Sequence, residues 1–215
     1  MTIFKLRVLS LVGLVSLALV STTALAVEAG DWIIRGGITV VSPNSDSSEV
    51  PGIPGSKVEV DDGTALGINF GYFFTDNWAI EVLLATPFTH DIKGSGSISS
   101  LGKIGEIEML PPTVNAQYHF MPQSSIKPYV GAGLTYFLVL DESTSGALAG
   151  TTLNVDNSLG VGVQAGVDFM LDQHWLINLD LRYIALETDA SVGGGSKFDV
   201  TVDPWVYTLA VGYKF

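Results

Sequence analysis

The chain has 215 residues, of which 47% are hydrophobic and only 15% are charged. This balance excludes an intrinsically disordered protein, which combines low hydrophobicity with high charge. There are 10 basic against 22 acidic residues, a formal charge of −12, which disfavours binding to a phosphate backbone, and we expect no nucleic-acid partner. Because the chain has no cysteine, a disulfide framework and a thiolate zinc site are both excluded.

Residues 1–26 have the pattern of a secretory signal peptide. Lys5 and Arg7 precede an uncharged apolar segment at 8–20, and Ala24-Leu25-Ala26 is a small-x-small cleavage signal. We therefore expect cleavage after Ala26 and a mature domain over 27–215. The alternative is an uncleaved membrane anchor, but the apolar segment is shorter than the ~20 residues that span a bilayer.

Beyond the signal peptide, period-two alternation of apolar with small or polar residues predicts strands. We predict eight strands, near 31–41, 64–74, 77–87, 112–120, 128–140, 158–171, 174–186 and 202–215. Short turns alternate with long loops rich in Gly, Ser and acids, which cover 42–63, 88–111, 141–157 and 187–201. This arrangement is typical of an all-β fold, an eight-stranded antiparallel transmembrane β-barrel in the outer membrane, with short periplasmic turns, long external loops and both termini in the periplasm.

The alternation also indicates which solvent surrounds the barrel. With the strands phased so that the apolar face points outward, that face carries no Asp, Glu, Lys or Arg in any of the eight strands. A Lys or Arg facing lipid at mid-bilayer costs roughly 2–4 kcal/mol, so this absence is expected of a membrane barrel. Aromatic residues on the same face lie at the strand ends nearest the short turns, as an interfacial girdle would: Trp32, Tyr72, Phe74, Trp78, Tyr118, Phe120, Phe169, Trp175, Tyr213 and Phe215.

A soluble barrel is the alternative to a membrane barrel. Gly30-Asp31-Trp32 resembles the Gly-x-Trp opening of lipocalins, a three-residue signal. In a lipocalin, however, the apolar face would point inward and the small face outward. The small face here consists largely of Gly, Ala, Asn and Gln, which would cover a soluble surface poorly, and the girdle would have no purpose.

Eight short motifs, in this order and spacing, resemble the outer membrane protein W family of Gram-negative bacteria. They are Ser42-Pro43-Asn44, Asp76-Asn77, Ala85-Thr86-Pro87-Phe88 with His90, Leu110-Pro111-Pro112-Thr113, Lys127-Pro128-Tyr129-Val130-Gly131-Ala132-Gly133, Gly166-Val167-Asp168, Asp203-Pro204-Trp205 and Gly212-Tyr213-Lys214-Phe215. The resemblance implies an eight-stranded barrel whose hydrophobic channel admits small hydrophobic molecules, with Phe215 read by the barrel-insertion machinery. The chain departs from the family at Arg182, where an aromatic residue is common, and this bears on the polarity of the passage.

The lumen of an eight-stranded barrel is filled by side chains or holds one small ligand. Inward residues nearest the short turns predict a polar plug of paired charges, because an unpaired buried charge is costly: Arg35, Glu81, His119, Asp168, Asp180, Arg182 and Lys214. Inward residues above them predict an apolar lumen pocket: Val41, Leu83, Ala85, Phe137, Val139 and Val206. Alternatively, both sets are ordinary barrel filling.

Prolines suggest where a solute leaves the pocket. Proline donates no ladder hydrogen bond and is confined to strand ends, edges and bulges. Pro87 ends the third predicted strand, and Pro111 and Pro112 begin its neighbour. The sequence therefore predicts a lateral opening there, although these prolines equally fit simple strand ends.

The residues favour a barrel that binds or passes small hydrophobic solutes, without a cofactor or metal. We expect its partners to be outer-membrane lipid, lipopolysaccharide and the solute. The alternative is a structural or surface-interaction barrel with a closed interior. A third reading is a lipid-modifying enzyme that uses His90 beside Asp91, but a nucleophile with a His base and an orienting acid is not evident in the sequence, and we predict that the chain is not an enzyme.

Overall fold

The computed structural model describes residues 25–215. Most of the predicted signal peptide, residues 1–24, lies outside the described residues. The described part contains fifteen strands: β1 (Trp32–Ser42), β2 (Asp46–Ser47), β3 (Ser56–Val60), β4 (Gly63–Phe73), β5 (Trp78–Ala85), β6 (Phe88–Gly96), β7 (Lys103–Leu110), β8 (Thr113–His119), β9 (Ile126–Thr144), β10 (Leu153–Val155), β11 (Ser158–Met170), β12 (Trp175–Ala185), β13 (Glu187–Val192), β14 (Phe198–Thr201) and β15 (Trp205–Lys214). Two single-turn 3₁₀ helices lie at Ser99–Leu101 and Gly146–Leu148.

Eight of these strands close into an antiparallel barrel. Around the ring the order is β11, β12, β15, β1, β4, β5, β8 and β9, and β9 pairs with β11 to complete it. Closure gives each of the eight strands a neighbour on both sides, which suits a membrane because it offers the backbone no water. The predicted fold class is confirmed, and each predicted strand overlaps one barrel strand. Within residues 25–215 we find no helix long and apolar enough to cross a bilayer.

The two faces of each barrel strand differ as the alternation predicts. In β15, Leu209 and Val211 are 56% and 53% exposed, while Ala210 between them is buried at 3%. The same alternation in the other barrel strands wraps the outside in an apolar band, while inward polar residues such as Asn69, Gln164 and Thr208 are buried. The outside of the barrel is therefore suited to lipid rather than water.

Aromatic side chains lie at both ends of the band. At the end with the short turns, which we call the turn end, ring contacts join Trp32 with Tyr72 (4.9 Å between centroids) and Trp175 with Tyr213 (5.1 Å). At the opposite, loop end, Trp205 lies 5.2 Å from a neighbouring tyrosine ring. Trp205 and Tyr213 are eight residues apart on β15, roughly 20 Å along the barrel axis once strand tilt is included. That separation is close to the height of the hydrocarbon band in outer-membrane barrels.

The sequence predicts that the long connections are loops. In the structure they contain further strands. β6 pairs with β7 and with β3, and β7 also pairs with the upper half of β9. β10, β13, β14 and β2 form a second sheet of four strands. Outward residues of β6 such as Asp91 and Lys93 are charged, so these strands extend the barrel wall above the apolar band.

Candidate functional site

A buried salt bridge forms the centre of the plug. Arg35, on β1, is bidentate to Asp168, on β11, with Nε to Oδ1 at 2.9 Å and Nη2 to Oδ2 at 2.6 Å. Its third nitrogen, Nη1, donates to Oε2 of Glu81 at 3.3 Å. Arg35 is 1% exposed and the two carboxylates are not exposed at all. The pairing of opposite inward charges, expected from their similar height, is present for these three residues.

A second guanidinium extends the network upward. Arg182 donates from Nη2 to Oε1 of Glu81 at 2.7 Å and from Nε to Oδ1 of Asp180 at 2.6 Å. Glu81 and Arg182 lie on β5 and β12, which stand on opposite sides of the eight-membered ring. The ion pairs therefore join opposite walls of the lumen.

Neutral groups satisfy the remaining oxygens of the plug. Tyr129 donates its hydroxyl to Oδ2 of Asp180 at 2.7 Å, and Asn178 donates to both Asp168 (2.8 Å) and the Tyr129 oxygen (3.0 Å). Further amide donors to these carboxylates are Asn69, Asn115 and Gln164. Buried carboxylates are tolerated only when their lone pairs are used in this way. Tyr129 and these amides are further members of the plug beyond the predicted set, and each faces inward by the alternation.

Two of the predicted plug residues lie apart from the ion pairs. His119 is buried between the rings of Phe73 and Tyr129 and hydrogen-bonds Gln117 at 3.2 Å. Lys214 makes its contacts outside this network. As the last residue of β15 it lies at the mouth, where Nζ donates to the carbonyl of Ala26 (2.7 Å) and to Asp31 (3.4 Å). Cleavage after Ala26 would leave it the contact with Asp31.

An apolar layer closes the turn end below the plug. Phe73, Leu176 and Ile33 are fully buried here, with Val27 from the segment that enters the barrel before β1. Beside this layer Lys127 is buried and binds the backbone carbonyls of the turn after β8. This layer lies on the turn-end side of the plug, and the two together stand between the upper lumen and the turn end.

An apolar cavity lies above the plug, where the upper ends of the barrel strands meet β3, β6 and β7. Its volume is about 90 Å³; since one water needs roughly 10–15 Å³ by this measure, a small organic molecule fits. The structure places Val41, Leu83, Ala85, Phe137 and Val206 of the predicted pocket on its wall. Other apolar residues complete the wall, including Phe88, Ile107, Met109, Ile184, Phe198 and Val200.

Val139 does not lie on the cavity wall, in contrast to the prediction. It is half-buried and packs against the same apolar cluster. The register of β7 with β9 shifts between Glu108 and Met109, and this irregularity ends the simple alternation of β9 just where Val139 stands. Residues contributed by the upper strands were also missed, because their Gly, Ser and acidic content made those segments resemble loops.

His90 lies on the wall of the cavity and is 1% exposed. Its Nδ1 lies 2.7 Å from the carbonyl oxygen of Asp61, and its ring stacks near Phe88. Asp91, the acid considered as its partner, is instead paired with Lys103 at 2.7 Å. The arrangement of His90 is that of a wall residue held by the backbone.

The wall between β5 and β8 is interrupted beside the cavity. Their ladder runs from the turn end up to the pair Leu83 and Thr113, and pairing resumes only between Phe88 of β6 and Met109 of β7. Residues 84–87 and 110–112 between these pairs have no partner across this seam. The three prolines singled out in the sequence lie here: Pro111 lines the cavity, Pro112 is half-buried, and Pro87 is exposed and does not line it.

The fold and the layered lumen define a small outer-membrane β-barrel with an enclosed apolar site. The model of the OmpW family matches residues 28–215, and the chain belongs to that family. Outer membrane protein W of Vibrio cholerae is 44% identical over 206 residues, covering 92% of this chain and 94% of the relative.

A solved structure and a more distant relative agree with this assignment. The crystal structure of the outer membrane protein OprG from Pseudomonas aeruginosa has a TM-score of 0.82 at 38% identity and covers 89% of this chain and 98% of that one. The dibenzothiophene metabolism operon protein PahQ of the same species is 25% identical over 87% of this chain and 90% of the relative.

Proposed function

We propose that the barrel takes up small hydrophobic molecules into the apolar cavity and releases them sideways into the membrane between β5 and β8. In this proposal the loop end faces the outside of the cell and the two termini face the periplasm. A solute enters from the loop end, because the plug and the apolar layer beneath it fill the lumen on the other side.

The observation that carries the proposal is the order of the layers. Transfer of an apolar solute from water into a cavity lined by residues such as Leu83, Phe88 and Phe137 has a favourable free energy. Passing on through Arg35, Glu81 and Asp168 would require breaking charge pairs that have no access to water, which is costly. The free-energy barrier is therefore higher for a route straight through the barrel than for a lateral exit from the cavity.

The interrupted ladder supports the lateral route. Separating two paired strands would break buried backbone hydrogen bonds, whereas at 84–87 and 110–112 there are none between the two sides to break. Ala85 and Pro111, one from each side, both line the cavity. The name of the relative PahQ, from a dibenzothiophene metabolism operon, is in keeping with an apolar solute.

The lateral route is tested by locking the interruption. Ala85→Cys and Pro111→Cys are introduced together, in a chain that has no other cysteine, and joined by oxidation or, if the gap is too wide, by a short bis-maleimide. The control is Leu179→Cys with Leu209→Cys, which are paired in the continuous ladder of β12 and β15 at a spacing that suits a disulfide.

We expect the lock at 85 and 111 to reduce delivery of naphthalene into the membrane at least tenfold and to be reversed by reductant in the disulfide form. The control lock should leave delivery unchanged. If delivery stays intact with the first lock closed, the lateral route between these strands is wrong.

A further inference from the structure

Arg182 marks the boundary between the plug and the cavity. Asp180, two residues earlier on β12, belongs to the plug, and Ile184, two residues later, lies on the apolar wall. Arg182 itself is 2% exposed and lies at the floor of the cavity, where it is the one formally charged side chain among the described lining residues. An arginine at this place is unusual in an otherwise apolar site.

One nitrogen of this guanidinium has no partner in the described part of the chain. Nε is used by Asp180 and Nη2 by Glu81, but Nη1, with its two N–H groups, is buried and makes no hydrogen bond to residues 25–215. Buried donors are almost always paired in proteins, and an exception calls for an explanation. A ligand in the cavity that brings a hydrogen-bond acceptor would provide one.

His90 presents a second unpaired atom to the same wall. A carbonyl oxygen only accepts hydrogen bonds, so the contact with Asp61 places the proton of His90 on Nδ1. Burial lowers the pKa of His90, which keeps the ring neutral near pH 7 and leaves a lone pair on Nε2. This atom is buried and has no partner in the described residues.

The charge of the plug decides which acceptor fits. Arg182 is already paired with two carboxylates, Glu81 and Asp180, so its single positive charge is more than balanced where a ligand would bind. A ligand carboxylate would add a further negative charge in a desolvated place. An uncharged oxygen, such as that of a ketone or an ester, accepts from Nη1 without this cost.

We propose that the cavity recognises an uncharged apolar molecule with a carbonyl oxygen, which accepts from Nη1 of Arg182 while its hydrocarbon part lies against Ile184, Val206 and Phe88. This inference rests on the proposed function and narrows it from hydrophobic solutes in general to one chemical class. A hydroxyl elsewhere on the molecule would find the lone pair of His90.

The test compares three probes of equal length on the purified barrel in detergent: heptane, heptan-2-one and heptanoate. Binding is measured by competition with a fluorescent apolar probe and corrected for the partition of each compound into protein-free micelles. We expect heptan-2-one to bind about tenfold more tightly than heptane, and heptanoate to bind no more tightly than the ketone.

The variant R182K separates recognition from folding. Lysine keeps the positive charge beside Glu81 and Asp180 but has no second pair of N–H groups to direct at the cavity, so the ketone should lose its advantage while heptane binds as before. Equal binding of ketone and heptane to the unmodified protein, or an advantage that persists in R182K, would overturn the inference; the first comparison needs no variant to fold. Binding of none of the three would instead contradict the proposed function.

Discussion

Arg35 and Asp168 are joined by two parallel hydrogen bonds, of 2.9 and 2.6 Å, across the lumen. Their strands, β1 and β11, are three places apart in the ring, so the pair braces walls that have no ladder between them. The planar guanidinium matches the two carboxylate oxygens, which a lysine in the same place would not. The geometry makes the plug both a brace and a barrier.

We predict that the plug keeps ion conductance small in planar bilayers, and that Glu81→Ala or Asp168→Ala raises it severalfold. Each substitution removes a carboxylate that holds Arg35, and leaves space and an unpaired cation that draw water into the lumen. Asp141→Ala, at an exposed acid, is the control and should conduct like the unmodified protein. Large, porin-like conductance without any substitution would contradict the prediction.

The barrel strands could be predicted because membrane and lumen impose opposite demands on successive residues. In β15, Leu209 and Val211 face lipid, while Thr208 and Ala210 fit a narrow interior. Because the two environments alternate along a strand, the sequence alternates with a period of two. The strands above the membrane lack that contrast. In β6 the inward apolar residues are Phe88 and Ile92. The Gly and Ser residues near them are equally typical of loops, so the sequence does not distinguish this strand from a loop.

Most residues of the plug could be predicted from the sequence, but which of them pair with each other could not. Arg35 and Glu81 were recognised as inward and opposite in charge, whereas the choice of Asp168 as the bidentate partner of Arg35 depends on ring order and stagger. Lys214 shows the limit of the alternation rule, since it gives the side on which a residue lies and not its height. After Val139 the register shift between β7 and β9 ends the rule, and Leu140 and Asp141 are both exposed.

Gly166 is predicted to be required for the fit of Tyr129 in the plug. A Cβ at this glycine would lie 2.3 Å from Cζ of Tyr129 and 2.8 Å from the carbonyl oxygen of Leu179, so Gly166→Ala must displace the ring or the strand. We expect the free energy of unfolding to fall by about 1–3 kcal/mol. Urea unfolding in detergent or lipid measures it.

Gly36→Ala is the matched control for this prediction. Gly36 lies on a barrel strand, faces outward, and has no atom within 4 Å of the place where a Cβ would stand. Its unfolding midpoint should match that of the unmodified protein. A Gly166→Ala barrel as stable as the Gly36→Ala barrel would mean that Tyr129 is free to move.

Leu83→Asp is predicted to weaken the binding of an apolar probe at least tenfold. Leu83 is 5% exposed and lies on the cavity wall, and a carboxylate there would bring water or an unpaired charge into an apolar site. Leu83→Met, which keeps size and polarity, serves as the control and should bind the probe within about twofold of the unmodified protein. The shift in electrophoretic mobility on heating reports whether each variant is folded, and unchanged binding in a folded Leu83→Asp barrel would remove Leu83 from the site.

Uptake of an apolar solute across a lipopolysaccharide surface tests the central claim most directly. Vesicles with lipopolysaccharide in the outer leaflet are prepared without protein, with the unmodified barrel and with the Leu83→Asp barrel, and the arrival of naphthalene in the bilayer is followed by its fluorescence. The account predicts that the unmodified barrel speeds arrival at least tenfold over protein-free vesicles and that Leu83→Asp removes most of this gain. Equal rates in all three preparations would contradict it.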